Sequence, residues 1–179
     1  DEPDQEKTDI ALMSVGGGVG NTQKWENSSL SFNTSYINLA PYIAAFPDRN
    51  DWEKPFEALA GETVFRNKFK SGLLKVYAAF DTSNFELTQE DINLPEGLRF
   101  KLKNYNFYTN AGYAGDLNDS WKFQVGGSFT RAQNNITVQG DDIENTENSA
   151  HFKVRFRKRF SNRFKLNFGV EQFLTDYVE

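Results

Sequence analysis

Apolar and polar residues alternate with a period of two through most of this chain. The alternating stretches are separated by breaks rich in Gly, Asn, Asp and Ser. The pattern predicts eight strands, near residues 8–20, 28–41, 57–69, 72–86, 98–115, 120–134, 148–160 and 163–175. The cleanest is 148–160, where Ala150, Phe152, Val154, Phe156 and Phe160 occupy even positions, interrupted by Lys158, and His151, Lys153, Arg155, Arg157 and Arg159 occupy the odd ones. Successive strand residues point to opposite faces, so one face is greasy and the other basic. After Ser161-Asn162 the greasy set resumes with Phe164, Leu166, Phe168 and Val170, opposite Arg163, Lys165, Asn167 and Glu171. Trp121, Phe123, Val125 and Phe129 repeat the rhythm against Lys122, Gln124 and Ser128, as do Leu74, Val76, Ala78 and Phe80 against Lys75, Tyr77 and Asp81.

Two stretches change phase. In 98–115 the apolar set runs Leu98, Phe100, Leu102 and then Tyr105, Phe107, Ala111, Tyr113. A β-bulge near Lys103-Asn104 accounts for this, and so does a strand end standing clear of the buried zone. In 28–41, Leu30, Phe32 and Tyr36 give way to Ile37 and Leu39. Helical periodicity is poor; 48–59 has room for a turn of helix at most, with Pro47 and Pro55 discouraging more.

The connections alternate strictly between short (21–27, 70–71, 116–119, 161–162) and long (42–56, 87–97, 135–147). Tight turns on one side and longer loops on the other characterise outer-membrane barrels. The parity puts both chain ends on the long-loop side, where a self-contained small barrel keeps them on the other. The expectation is a single segment, residues 1–179, that forms an internal section of a larger barrel: all-β, antiparallel, up-and-down and transmembrane.

Composition narrows the options further. Aromatics make up 15% of the 179 residues although only 38% are hydrophobic and mean hydropathy is −0.65, which suits half-exposed strands better than a thick aliphatic core. No apolar run approaches the length of a membrane-spanning helix, a fact that leaves β-barrels untouched. With no Cys and one His, thiolate and multi-His metal sites are out of reach. A net charge of −5 argues against nucleic acid as a partner. The chain opens on DEPDQEKTD, with no signal peptide in view, and reads as a mature or internal segment.

Residues 28–87 carry YINLAPY at a strand end, DWEKP ahead of a strand, and GLLKVYAAFDTSNF in a hairpin; 98–178 continue in the same texture with HFKVRFRKRFSNRFKLNFGVEQF. This resembles the barrel region of Bacteroidetes-type TonB-dependent outer-membrane receptors. The resemblance implies a barrel of roughly 22 strands with a plugged lumen. It also implies uptake of scarce ligands such as siderophores, cobalamin or glycans, driven by TonB through a plug domain. No part of these 179 residues matches the plug or the TonB-contacting segment. The implied partners are outer-membrane lipid, the remaining strands and plug of the same receptor, TonB indirectly, and a surface lipoprotein; neither cofactor nor enzymatic activity is implied.

Motifs that carry catalysis are missing. Gly16-Gly17-Gly18-Val19-Gly20 has no Lys-Ser/Thr to cradle phosphate and fails the dinucleotide spacing at Asn21; small residues near a turn or beside a packed plug explain it. The strongest charged feature is the stripe Lys153, Arg155, Arg157, Arg159, Arg163 and Lys165, an anion-attracting lumen wall or a solvated face paired with plug carboxylates. The complementary lipid-facing set is Trp121, Phe123, Val125, Phe129, Phe152, Val154, Phe156, Phe164, Leu166 and Phe168, with Phe160, Phe164 and Trp121 forming an aromatic girdle near the short turns. Asp141, Asp142, Glu144 and Glu147, and separately Glu90 with Asp91, fit solvated acidic loops better than a calcium loop. Arg49 and Trp52 are candidate loop contacts for a ligand or lipoprotein. Two rivals remain: a complete small barrel with a structural or adhesive role, and a soluble lipocalin-like barrel that turns the greasy face inward.

Overall fold

The computed structural model describes residues 14–41, 51–91 and 94–178. They form one antiparallel sheet of eight strands, each paired with the next in the chain: β1 (Val15–Lys24), β2 (Ser28–Asn38), β3 (Asp51–Phe69), β4 (Gly72–Asp91), β5 (Leu94–Asn118), β6 (Trp121–Val138), β7 (Asp141–Arg159) and β8 (Lys165–Val178). The all-β, up-and-down architecture is the one the alternation predicts. Among the described residues the sheet is not closed by hydrogen bonds, because β1 pairs only with β2 and β8 only with β7.

Turn chemistry fixes the short ends. The Asn118 side-chain oxygen accepts from the backbone N–H of Ser120 (3.0 Å) and Trp121 (3.1 Å), folding β5 back into β6. Ser161 Oγ accepts from the N–H of Phe164 at 3.0 Å between β7 and β8. At the end of β2 the Asn38 side chain accepts from the Ala40 N–H at 2.7 Å and stops the strand.

The structure corrects several expectations. The connections expected at 87–97 and 135–147 are mostly strand. The β4–β5 ladder continues to Asp91↔Leu94, and the β6–β7 ladder to Val138↔Asp141 around the two-residue turn Gln139-Gly140. Both turn residues have positive φ (55° and 92°), the backbone that a tight hairpin of this twist demands and that Gly supplies readily. The acidic QGDDIENTENS is therefore a hairpin arm. Residues 51–59 are strand rather than helix; the register shifts between Trp52 and Lys54 and again between Lys54 and Glu57, which accommodates Pro55. No bulge interrupts 103–104, since the pairs Asn84↔Lys103 and Ser83↔Asn104 follow one another without a shift. Of the first predicted strand, 8–20, only Val15 onward lies within the described residues as strand, and that strand runs on to Lys24.

A conventional core is missing: no hydrophobic side chain among the described residues is buried. Large apolar groups remain open even in the middle strands, Tyr105 at 41% in β5 and Phe129 at 38% in β6.

Candidate functional site

Residues paired across a ladder share a face, so the register sorts every strand residue onto one side. On the first face, Phe123, Phe156 and Phe168 form one row across β6, β7 and β8. Their ring centroids are 6.5 and 5.6 Å apart. The adjoining row is Leu74, Tyr113, Val125, Val154 and Val170, and the next holds Phe65, Val76, Ala111, Gly127 and Phe152. Trp121 lies edge-on to Phe168 at 6.0 Å. Lys158, which interrupts the apolar alternation, sits on this face with Nζ 4.8 Å over the Trp121 ring and 4.9 Å from the Phe160 centroid. Cation–π contact reconciles its charge with greasy neighbours. Phe164 falls in the β7–β8 turn, its ring 5.4 Å from that of Phe160. The apolar belt covers nine residues from Trp121 to Phe129 in β6 and nine from Leu166 to Leu174 in β8, where Gln172 opposite Phe152 is its one polar side chain.

The opposite face is basic near the short turns. Lys153, Arg155, Arg157 and Arg159 all lie there, with Lys165 opposite Arg159 and Lys122 opposite Arg157. Arg163 does not join the ladder; it is in the turn before β8. The charges are unevenly compensated. Lys153 Nζ is 3.1 Å from Glu171 Oε2, and Lys122 Nζ is 2.8 Å from Asp116 Oδ1. His151 Nε2 is 2.7 Å from Glu171 Oε1, and its ring stacks flat on Phe173 at 4.0 Å. Among the described residues, Arg157 Nε donates only to the neutral Asn167 amide oxygen, at 3.0 Å.

Toward the hairpin tips the two faces exchange chemistry. Leu98, Phe100 and Leu102 share the basic face, because Phe85↔Leu102↔Ile136↔Ile143 and Leu87↔Phe100↔Val138 are rows of that side. Phe56 joins them, its ring 6.4 Å from that of Phe85. The first face becomes polar at the same height, with the row Glu57, Asn84, Lys103, Asn135, Glu144 and beyond it Glu86, Lys101, Thr137, Asp142. Arg99 bridges Glu86 and Glu53, the latter at 2.6 Å. The Arg99 hydrogen bond is the main reason that the Glu86 carboxyl is held below the usual carboxylate range. The phase change of 98–115 is thus a change in which face is greasy, not a slip of the strand. This apolar patch on the basic face is the feature that sequence reasoning missed; the alternation of Ile136, Val138 and Ile143 around Gln139-Gly140 was its signal.

Among the described residues no three His, Cys, Asp or Glu come together in a way that could hold a metal. Asp142 and Glu144 lie on one face while Glu147 lies on the other, which divides the acidic set. Arg49 lies outside the described residues; Trp52 is in β3 opposite Leu87. The chain matches no known family model, no curated protein and no solved structure.

Proposed function

We propose that this chain is a section of the wall of an outer-membrane β-barrel that serves ligand uptake, non-enzymatic, and of the TonB-dependent receptor type that its sequence resembles. One observation carries the reading: a sheet without a buried core keeps one apolar belt about as tall as a transmembrane strand requires, backed by a charged face. About 9–11 tilted residues cross a bilayer, and the belt in β6 and β8 has that length. Lipid then covers Phe123, Val125, Phe152, Val154, Phe156, Leu166 and Phe168, and Trp121, Phe160 and Phe164 lie at the headgroup level. The basic face lines the lumen. In this setting the outward edges of β1 and β8 pair with further strands, since lipid satisfies no backbone N–H or C=O.

The chain has no Cys, so single labels are unambiguous. Phe168→Cys and Arg157→Cys, each carrying a fluorophore, are reconstituted in phospholipid vesicles. Brominated lipid should quench the first label and aqueous iodide the second. A Phe168→Cys label shielded from both quenchers, in a protein that stays monomeric without detergent, would establish the lipocalin-like rival instead.

A further inference from the structure

Near the short turns the basic face contains a hollow of about 460 Å³ that gathers residues from β3 to β7. A hollow spanning five neighbouring strands is what a sheet curling toward that face produces. Leu73 and Ala114, paired across β4 and β5, supply its apolar floor, and Gln124 follows in the same row. Lys68, Lys70, Lys122, Arg155 and Arg157 stand around it, with Asp116 the one carboxylate of the lining. Asp116 is already engaged by Lys122. Among the described residues Lys68, Lys70 and Arg155 make no ion pair and no side-chain hydrogen bond, and Arg157 has only its bond to Asn167. The hollow therefore carries a concentrated positive charge in a chain whose net charge is −5.

We propose that this hollow binds a small, multiply charged anion with an apolar body, held by carboxylate or phosphate groups. The volume lies within the range of ligand sites, about 300–1,000 Å³, and an apolar floor with a few charged groups at its edge is their usual chemistry. Arg155 and Arg157 are alternate residues of one strand face, so about 7 Å separates their backbones. One anionic group engages one guanidinium fork; two or three groups on a single body engage both forks and the lysines. Leu73 and Ala114 contact the body. The inference deepens the uptake reading by naming a ligand class for the inner wall, and it rests on that reading only in taking this face to be open to water.

The test is calorimetric titration of the full chain in detergent micelles at low ionic strength. The probes are trimesate (an aromatic tricarboxylate), tricarballylate (its aliphatic counterpart) and inorganic tripolyphosphate. One saturable site is expected for trimesate, weakened at least tenfold in Arg155→Gln/Arg157→Gln and less than twofold in Lys103→Gln, on the opposite face at the other end. Leu73→Asn should weaken trimesate more than tripolyphosphate, and the comparison of the two unmodified affinities assigns the anionic group as carboxylate or phosphate. No saturable binding of any probe, or equal losses in the double variant and in Lys103→Gln, overturns the proposal. The quenching experiment on the same micelle-purified protein judges the membrane reading separately: binding with a lipid-shielded Phe168 label sinks the receptor and keeps the hollow, and quenching without binding does the reverse.

Discussion

The β6–β7 ladder runs from Trp121↔Lys158 to Val138↔Asp141 without a register shift, yet the turn end and the hairpin end of the sheet have opposite chemistry. Near the turns, Phe123, Phe156 and Phe168 make one face greasy while Arg155 and Arg157 make the other basic. Toward the tips, Phe85, Phe100, Leu102 and Ile136 lie on the side of the arginines, and Glu86, Lys101 and Lys103 lie on the side of the phenylalanines. Backbone geometry is indifferent to this exchange, since a strand offers two equivalent faces. The change must answer to surroundings that differ with height along the strands. In the proposed setting, the outer side passes from lipid to water as the strands leave the bilayer, and the apolar residues shift inward.

The sharpest way to break the comparison is to place the same residue on the same face at both heights. Phe156→Arg should cost about 2–4 kcal/mol in denaturant unfolding from lipid vesicles. Thr137→Arg, at the tip, should change stability by less than about 0.5 kcal/mol. Equal costs would mean that the belt has no lipid around it. The second contrast is on the basic face. Phe100→Ala should loosen the tip by about 1–2 kcal/mol, since this half-buried ring gives up part of its covered area. Hydrogen exchange should register that loss at amides of the β5–β6 tip and leave those around Val125 unchanged; a uniform loss would make the two ends one cooperative unit. Third, Gly140→Val forces a β-branched side chain into φ 92° and should cost about 1 kcal/mol or more, read as faster exchange in the β6–β7 hairpin alone.

The smallest expected effect is electrostatic. The carboxyl of Glu86 is held low by its hydrogen bond from Arg99, so its contribution is present at neutral pH and is lost as pH falls through the depressed pKa. Tip amides should exchange slightly faster, relative to their intrinsic rates, at pH 3 than at pH 6. Arg99→Gln should abolish that difference. An unchanged pH response in the variant would show that Arg99 and Glu86 are not coupled in solution. Because Arg99 is more than half exposed, added salt should shrink the effect further.

Much of this architecture was legible in the sequence because period-two alternation is unambiguous when each face has one character. Residues 148–160 are the best example: their strand, face assignment and neighbour across the Ser161-Asn162 turn all follow from the alternation of Phe, Val, Arg and Lys. Residues 135–147 were opaque for the converse reason. Asn135, Thr137, Asp142 and Glu144 place polar groups where lower rows of the same face hold Phe and Val, and the sequence there looks like a solvated loop. Ile136, Val138 and Ile143 alternate properly, but on the face that is basic elsewhere. The strand at 15–24 was hard to place because Gly16, Gly17, Gly18 and Gly20 bring no side chains to the alternation. The basic stripe was visible as a stripe. That Lys68, Lys70 and Lys122 join it around one hollow was not, since the register accumulated across five successive strands decides it.

The unshifted ladder through 103–104 makes the height of the wall a discrete, adjustable quantity. Each two-residue step along both arms of a hairpin lifts the rim by about 7 Å along the strand and leaves every side chain below on its original face. Excising Ile136-Thr137 together with Asp142-Ile143 would therefore lower the β6–β7 rim by one such step, with the Gln139-Gly140 turn and all rows beneath it still in register. A single-residue excision from each arm would instead turn the remaining tip inside out. Rim length in such a sheet thus evolves, or is engineered, like the teeth of a ratchet: in even increments, independently of the belt on which it stands.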